Sequence, residues 1–310
     1  MSGSPKGQIA VVTGANSGVG RSATEMLLEA GAHVTMVCRS RERGERALAE
    51  LRESAGDRPR RAERQVGKGA HTVGTAGDRA AGAQVVLELA DLSRQEDVRE
   101  VAARLDARLP VIDILVNNAG VTRPCCVHSP EGFELTFATN HLGHFLLTRL
   151  LRDRLQAGRG RIVNVSSRGH RSGDLRRAGL EDIARGRAWE GALQAYADSK
   201  LANVLFTLEI VRRWGARGIT ANAVHPGVLA TEIWKKTSLS ARLLVLPFTW
   251  FMSRPDVGGE AVMNLVEDPS RDDVTGRYFH VEREETPSAQ ARDEGLAREL
   301  WERSVEWTRG

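Results

Sequence analysis

Cysteine is scarce in this 310-residue chain: three residues, Cys38, Cys125 and Cys126. No C-x-x-C spacing occurs among them, which excludes a disulfide framework and a structural zinc set, and no metal site is expected. The thiols read as those of a protein in a reducing, cytoplasmic compartment. Long hydrophobic runs are missing as well. The opening MSGSPKGQIAVVTG has no apolar signal core. The longest apolar stretch, LLVLPFTWFM at 243–252, is too short to cross a bilayer, so no integral membrane anchor is expected. Aromatic residues make up only 5% of the chain, and the formal net charge is a mild +4. A nucleic-acid surface, which needs a basic patch interleaved with aromatics, is excluded on that ground. Tyrosine occurs twice, at Tyr196 and Tyr278, and lysine is rare against arginine.

What remains is an alternation of short apolar runs with amphipathic stretches. Runs at 8–13, 33–38, 84–89, 112–116, 161–165, 220–224 and 276–280 read as strands. Helical patterns lie from the first glycine-rich turn to about residue 30, then at 42–52, 98–108, 133–155 and 196–214. Strands alternating with helices predict an α/β fold: a Rossmann-type, doubly wound parallel sheet of about seven strands with helices on both faces. Residues 1–310 are expected to form one domain. Two segments interrupt the rhythm. Residues 53–83 are rich in Gly, Arg and Ala and read as a flexible surface insertion. The apolar region at 229–256 reads as a lid over a pocket, with a core helix and a membrane-surface helix as the other readings.

In VVTGANSGVGRSATEMLLEAG, glycines 14, 18 and 20 sit between a strand and a helix. Such glycines allow a tight turn and let backbone N–H groups and the positive helix end approach a pyrophosphate. Gly14, Asn16, Ser17, Gly18, Val19 and Gly20 are the expected phosphate-side contacts. The second strand ends VCRSR, with Cys38 where an acidic residue would select NAD by binding the ribose hydroxyl. Arg39 follows, and a guanidinium suits a 2′-phosphate. NADP(H) is therefore expected rather than NAD(H), with Arg39 as the main contact and Arg41 as helper.

Tyr196 and Lys200 lie four residues apart on a helical stretch, hence on one face. Moving a proton to or from a reacting oxygen needs an acid or base working near neutral pH. An adjacent ammonium favours the phenolate and would lower the tyrosine pKa. A hydroxyl from Ser166 or Ser167, after the fifth strand, would hydrogen-bond the substrate oxygen. His141 and His144 stand three apart, but no ligand cluster accompanies them. The Cys125–Cys126 pair reads as a plain loop.

Taken together, T-G-x-x-x-G-x-G at Thr13–Gly20, NNAG at Asn117–Gly120 and Y-x-x-x-K at Tyr196–Lys200 resemble the short-chain dehydrogenase/reductase family over nearly the whole chain. TNHLGHFLLT, RIVNVSS, SKLANVLF and HPG (His225–Gly227) are similar to its retinol-dehydrogenase-like branch. The animal members of that branch are often anchored at the N-terminus, which the resemblance does not extend to here, so a retinoid substrate is not presumed. The resemblance implies Tyr196 as acid/base, Lys200 as its activator and ribose ligand, Ser167 as oxygen anchor, and Asn140 as support for a water relay to Lys200. It implies Asp91 and Leu92 against the adenine, and Asn117, Ala119 and Gly120 along the ribose. Pro226, Gly227, Val228 and Thr231 should cover the nicotinamide end. The interval from Ser167 to Tyr196 is longer than in many members, which bears on substrate contacts. Oligomers are common in the family, packed through the helices around 136–155 and 196–214. The expected function is NADP(H)-dependent reduction of a ketone or aldehyde, or oxidation of the matching alcohol, on a lipophilic small molecule. The alternatives are a non-catalytic dinucleotide-binding or redox-sensing protein, and an epimerase or dehydratase on the same fold.

Overall fold

A computed structural model describes residues 5–54, 83–227, 255–271 and 273–309. Most of the predicted insertion at 53–83, nearly all of the lid at 229–256, and the site residues Val228 and Thr231 lie outside the described residues.

Eight described strands form one sheet in the order β3-β2-β1-β4-β5-β6-β7-β8. They are β1 (Ile9–Thr13), β2 (His33–Cys38), β3 (Val85–Leu89), β4 (Ile114–Asn117), β5 (Arg161–Val165), β6 (Thr220–His225), β7 (Tyr278–His280) and β8 (Arg283–Glu284). All neighbours are parallel except β7 and β8. The inner strands are apolar almost throughout, as strands covered on both faces must be. Alternate residues serve opposite layers. Ala10, Val12, Val34, Met36, Val116 and Val224 pack under α1 (Gly18–Glu29), α2 (Arg41–Ser54) and α8 (Pro255–Met263). Val11, Val37, Leu115, Ile162 and Ala221 pack under α3 (Gln95–Arg108), α4 (Gly143–Leu150), α5 (Arg152–Gly158), α7 (Ala192–Trp214) and α9 (Glu294–Trp307). The short α6 (Leu180–Ala184) lies in the interval before α7. Strand order turns back at β1, so the crevice at the carboxyl ends of β1 and β4 is the switch point where ligands bind in open α/β sheets.

Three expectations need correction. The pattern at 133–155 is not one helix. It begins as a single turn (Leu135–Phe137), widens into a π-turn (Ala138–Leu142), resumes as α4, and breaks again at Leu151 before α5. The widened turn is held by contacts to other elements, described below, which no periodicity reports. Position 143 is glycine because a Cβ there would stand 2.2 Å from the Leu92 carbonyl oxygen. The sheet does not end with β7: Val281, at φ 55, reverses the chain into β8. Glu53 and Ser54, assigned to the insertion, are the last residues of α2, whose helical pattern continues past residue 52. The C-terminal α9, capped by Asp293 accepting from the Leu296 N–H at 2.9 Å, closes the α3/α7 side with Trp301 on Phe145 and Trp307 beside Phe133.

Candidate active site

β1 delivers the chain into the glycine-rich turn. Gly14 and Gly18 have φ 66 and 54, conformations that favour glycine. Gly20 is forced by space: a Cβ would meet the Asn118 amide nitrogen at 2.4 Å and the Gly14 carbonyl at 2.6 Å. Ser17 stands at the N-cap of α1 without a side-chain cap bond, and the first turn carries no acidic residue. Its leading N–H groups are thus a fitting cradle for an anion. Asn16 is half-buried and Ser17 exposed, while Val19 points into the core. Cys38 braces the turn from beneath, its sulfur accepting from the Ala15 and Asn16 backbone; burial pushes its thiol up to about 11, so it is inert.

Thr13 ties this turn to the NNAG loop. Its hydroxyl oxygen accepts from the Asn118 and Ala119 N–H groups at 2.8 and 3.0 Å. The same hydroxyl lies 2.9 Å from His144 Nε2. His144 Nδ1 lies 3.0 Å from the Asn140 carbonyl, which only accepts, so Nδ1 carries the proton and Nε2 accepts from Thr13. Burial holds His144 down at about 4, consistent with a neutral ring. His141 turns elsewhere, to Ser304 Oγ at 3.0 Å. The i, i+3 histidine pair therefore has structural partners, and the link between Thr13 and His144 was not foreseen. Its signal in the sequence was the same histidine pair, which reads as part of a packing segment rather than as metal ligands.

Asn117 turns its amide inward, donating to Thr148 Oγ1 at 3.0 Å and Asn164 Oδ1 at 2.8 Å. Its side chain is committed to the interior, so an approach to a ribose is open only to its backbone. Ala119 and Gly120 line the crevice. A Cβ at Gly120 would lie 3.5 Å from Asn140 Oδ1 and 3.7 Å from Lys200 Nζ, so loop, asparagine and lysine meet there. Asn140, in the π-turn, accepts from the Val121 N–H at 2.8 Å and donates to the Val121 carbonyl and Ser199 Oγ, both at 3.0 Å. Its amide is fully used as a strap across the loop, and π-turns of this kind recur at functional sites.

α7 carries Tyr196 and Lys200 on one face. Lys200 is buried, donates to the Val165 carbonyl at 2.9 Å, and lies 5.6 Å from the centre of the Tyr196 ring. The two candidate serines are distinguished by their contacts. Ser166 is buried and donates to the Lys200 carbonyl at 2.9 Å, fixing β5 to α7. Ser167 accepts from the Gly169 N–H at 3.1 Å and hydrogen-bonds the Tyr196 side chain. Its neighbour Gly169 leaves room beside both: a Cβ there would be 3.4 Å from Ser167 Oγ and 3.7 Å from the tyrosine ring. The expected lowering of the tyrosine pKa by the lysine is not what these side chains provide. Burial dominates and raises the Tyr196 phenol, with the Ser167 bond opposing, while burial lowers Lys200 to about 8.

Along the adenine side, Arg39 is exposed at the end of β2 and makes no hydrogen bond or ion pair among the described residues. Arg41 is engaged with Glu45 at 3.2 Å. Asp91 accepts from the Ser93 N–H and hydroxyl through one oxygen, at 3.0 and 2.7 Å, and Leu92 is buried. At the other end, Pro226 and Gly227 follow β6, with Gly227 at φ 88.

Comparison with known proteins adds the following. The profile of the family described as short chain dehydrogenase matches residues 8–70, and that described as Enoyl-(Acyl carrier protein) reductase matches residues 62–283. Human retinol dehydrogenase 14 is 36% identical over 302 residues, covering 96% of this chain and 84% of that protein. Bovine dehydrogenase/reductase SDR family member 13 is 37% identical over 305 residues, 96% of this chain and 72% of the relative. Among solved structures, an uncharacterized protein from Mycobacterium Paratuberculosis superposes with a TM-score of 0.71 at 28% identity, covering 99% of this chain and 97% of that one. No helix among the described residues is long and apolar enough to cross a membrane.

Proposed function

The chain belongs to the short-chain dehydrogenase/reductase family, in its retinol-dehydrogenase-like branch, and on that premise we propose that it is an NADP(H)-dependent oxidoreductase that reduces a ketone or aldehyde on a lipophilic small molecule. The observation that carries the reading is the meeting of Tyr196, Ser167 and Lys200 beside Gly120 at the switch point. NADP(H), when bound, supplies or accepts the hydride. The phosphates fit the uncapped start of α1 and the glycines that leave it open. Lys200, with one of its three donors on Val165, has others to offer a ribose. Ser167 donates to the substrate oxygen, and Tyr196 gives that oxygen its proton.

The direction is proposed from the cofactor, since NADPH in a reducing compartment favours reduction of the carbonyl. Burial keeps Tyr196 in its protonated form, while Lys200 at about 8 remains largely charged at neutral pH. The apolar stretch at 243–252 supports a lipophilic substrate, and retinal belongs in any panel because the relatives named above include a retinol dehydrogenase. A cytoplasmic location is part of the proposal; assembly through α4 and α7 is not, because α9 covers them.

The preference for NADP(H) rests on Arg39, whose guanidinium has no partner among the described residues and offers forked donors to a phosphate. Arg39→Gln is expected to weaken NADPH binding about tenfold or more while leaving NADH binding unchanged. Fluorescence titration of both dinucleotides checks this. Equal affinity of the parent protein for NADH and NADPH, or equal weakening of both by the substitution, contradicts the assignment.

A further inference from the structure

At the carboxyl edge of β6 sits an imidazole that the proposed reaction leaves unused. His225 is 4% exposed, and neither of its ring nitrogens has a hydrogen-bond partner among the described residues. A buried polar group left unpaired on both sides is costly and calls for an explanation. β5 and β6 pair in register through Val165 and Val224, so His225 stands beside Ser166, one residue before the oxygen anchor. His280, its partner in β7, stacks on it with ring centres 4.9 Å apart and planes 15° apart. The turn that places His280 is itself under backbone constraint. Val281, a β-branched residue, is held at φ 55, and its N–H donates to the His225 carbonyl at 2.9 Å. Constraint of this kind gathers at ligand sites.

The surroundings of His225 are positive. Arg168, directly after Ser167, acts electrostatically on His225 and on Tyr278. Among the described residues the opposing group is Glu285, already engaged by His280 Nδ1 and by Arg171, both at 3.3 Å. Arg168 is exposed and has no hydrogen bond or ion pair among the described residues. Arg168 thus follows the oxygen anchor at the end of β5, two residues after the Ser166 that stands beside His225 at the end of β6, and neither the guanidinium nor the imidazole has an acceptor among the described residues.

We propose that Arg168 and His225 bind a carboxylate on the substrate, so that the molecule reduced is a keto acid or an aldehyde acid. The inference rests on the reductase reading for the carbonyl alone; the carboxylate site stands on its own geometry. An apolar body between the two polar ends agrees with a lipophilic substrate, which is then amphiphilic.

The test uses the full chain saturated with NADP(H). Short-, medium- and long-chain keto acids, each paired with its methyl ester, are titrated calorimetrically, and NADPH consumption is followed in parallel. The expected result is at least one acid that binds about tenfold or more tighter than its ester, a preference that Arg168→Gln abolishes and Arg168→Lys partly restores. Arg168 is on the surface, so these variants do not endanger the fold; His225→Asn should reduce the same preference. Acids and esters that bind alike throughout, or a preference that survives Arg168→Gln, overturn the inference whether or not NADPH is consumed. The expected preference without NADPH consumption upholds the carboxylate site and instead removes the reductase reading.

Discussion

Tyr196→Phe is expected to lower kcat for carbonyl reduction by about a thousandfold while leaving NADPH affinity and the melting temperature close to those of the parent protein. The size is that of one general acid removed from a proton transfer. The selectivity comes from the contacts. Only the hydroxyl is lost, and among the described residues it meets the Ser167 side chain alone. The ring, against which Gly169 is packed, is kept. A stopped-flow single turnover separates the chemical step from binding and release, and a thermal melt reports the fold. A variant with undiminished single-turnover rate would show that Tyr196 is not the acid. A variant that melts far below the parent would mean that the hydroxyl serves the fold as well.

Lys200→Met is expected to damage two functions at once and to spare stability. Catalysis should fall about a hundredfold or more, since the ammonium proposed to hold the cofactor's ribose beside Tyr196 disappears. NADPH affinity should fall with it. The fold, by contrast, has a reason to gain. Burial depresses the Lys200 pKa from 10.5 to about 8, so the folded protein holds the ammonium at a cost. The unfolded chain binds that proton more readily between those two values. The parent therefore gains stability relative to the methionine variant as pH rises from about 8 towards 10.5, and below that window it carries the full penalty. The Val165 carbonyl that loses its lysine partner keeps a 3.5 Å contact from Asn203. Melting curves of both proteins across this range should converge as pH rises. Parallel curves would place the lysine in a solvated, unperturbed site. In the same range NADPH binding by the parent should weaken as the ammonium loses its proton.

Much of the fold was legible because buried parallel strands leave a plain trace. The runs at 33–38 and 161–165 match β2 and β5 to the residue, and the glycine-rich motif leads from the end of β1 into the first turn of α1. The long pattern at 133–155 misled because apolar periodicity survives a π-turn. What breaks the helix is Asn140 reaching Val121 and Ser199, residues distant in sequence. α9 went unread although Asp293 and the amphipathic EGLARELWERSVEW signalled it; its worth lies in Trp301 and Trp307 filling space left by other helices. At the site, the Tyr196–Lys200 spacing revealed the partners but not the sign of their pKa shifts, because burial is a property of the folded neighbourhood. Likewise, VNVSS offered two serines, and only the packing of β5 on α7 shows Ser166 spent on the helix and Ser167 turned to the tyrosine.

The most direct test of the central claim is a single turnover with NADPH carrying deuterium at both hydrogens of nicotinamide C4, with the product analysed by mass spectrometry. The expected product is an alcohol with one deuterium on its former carbonyl carbon, formed rapidly by the parent protein and about a thousandfold more slowly by Tyr196→Phe. A product formed at the parent rate without deuterium, or no conversion of any carbonyl compound while NADPH remains tightly bound, would contradict it.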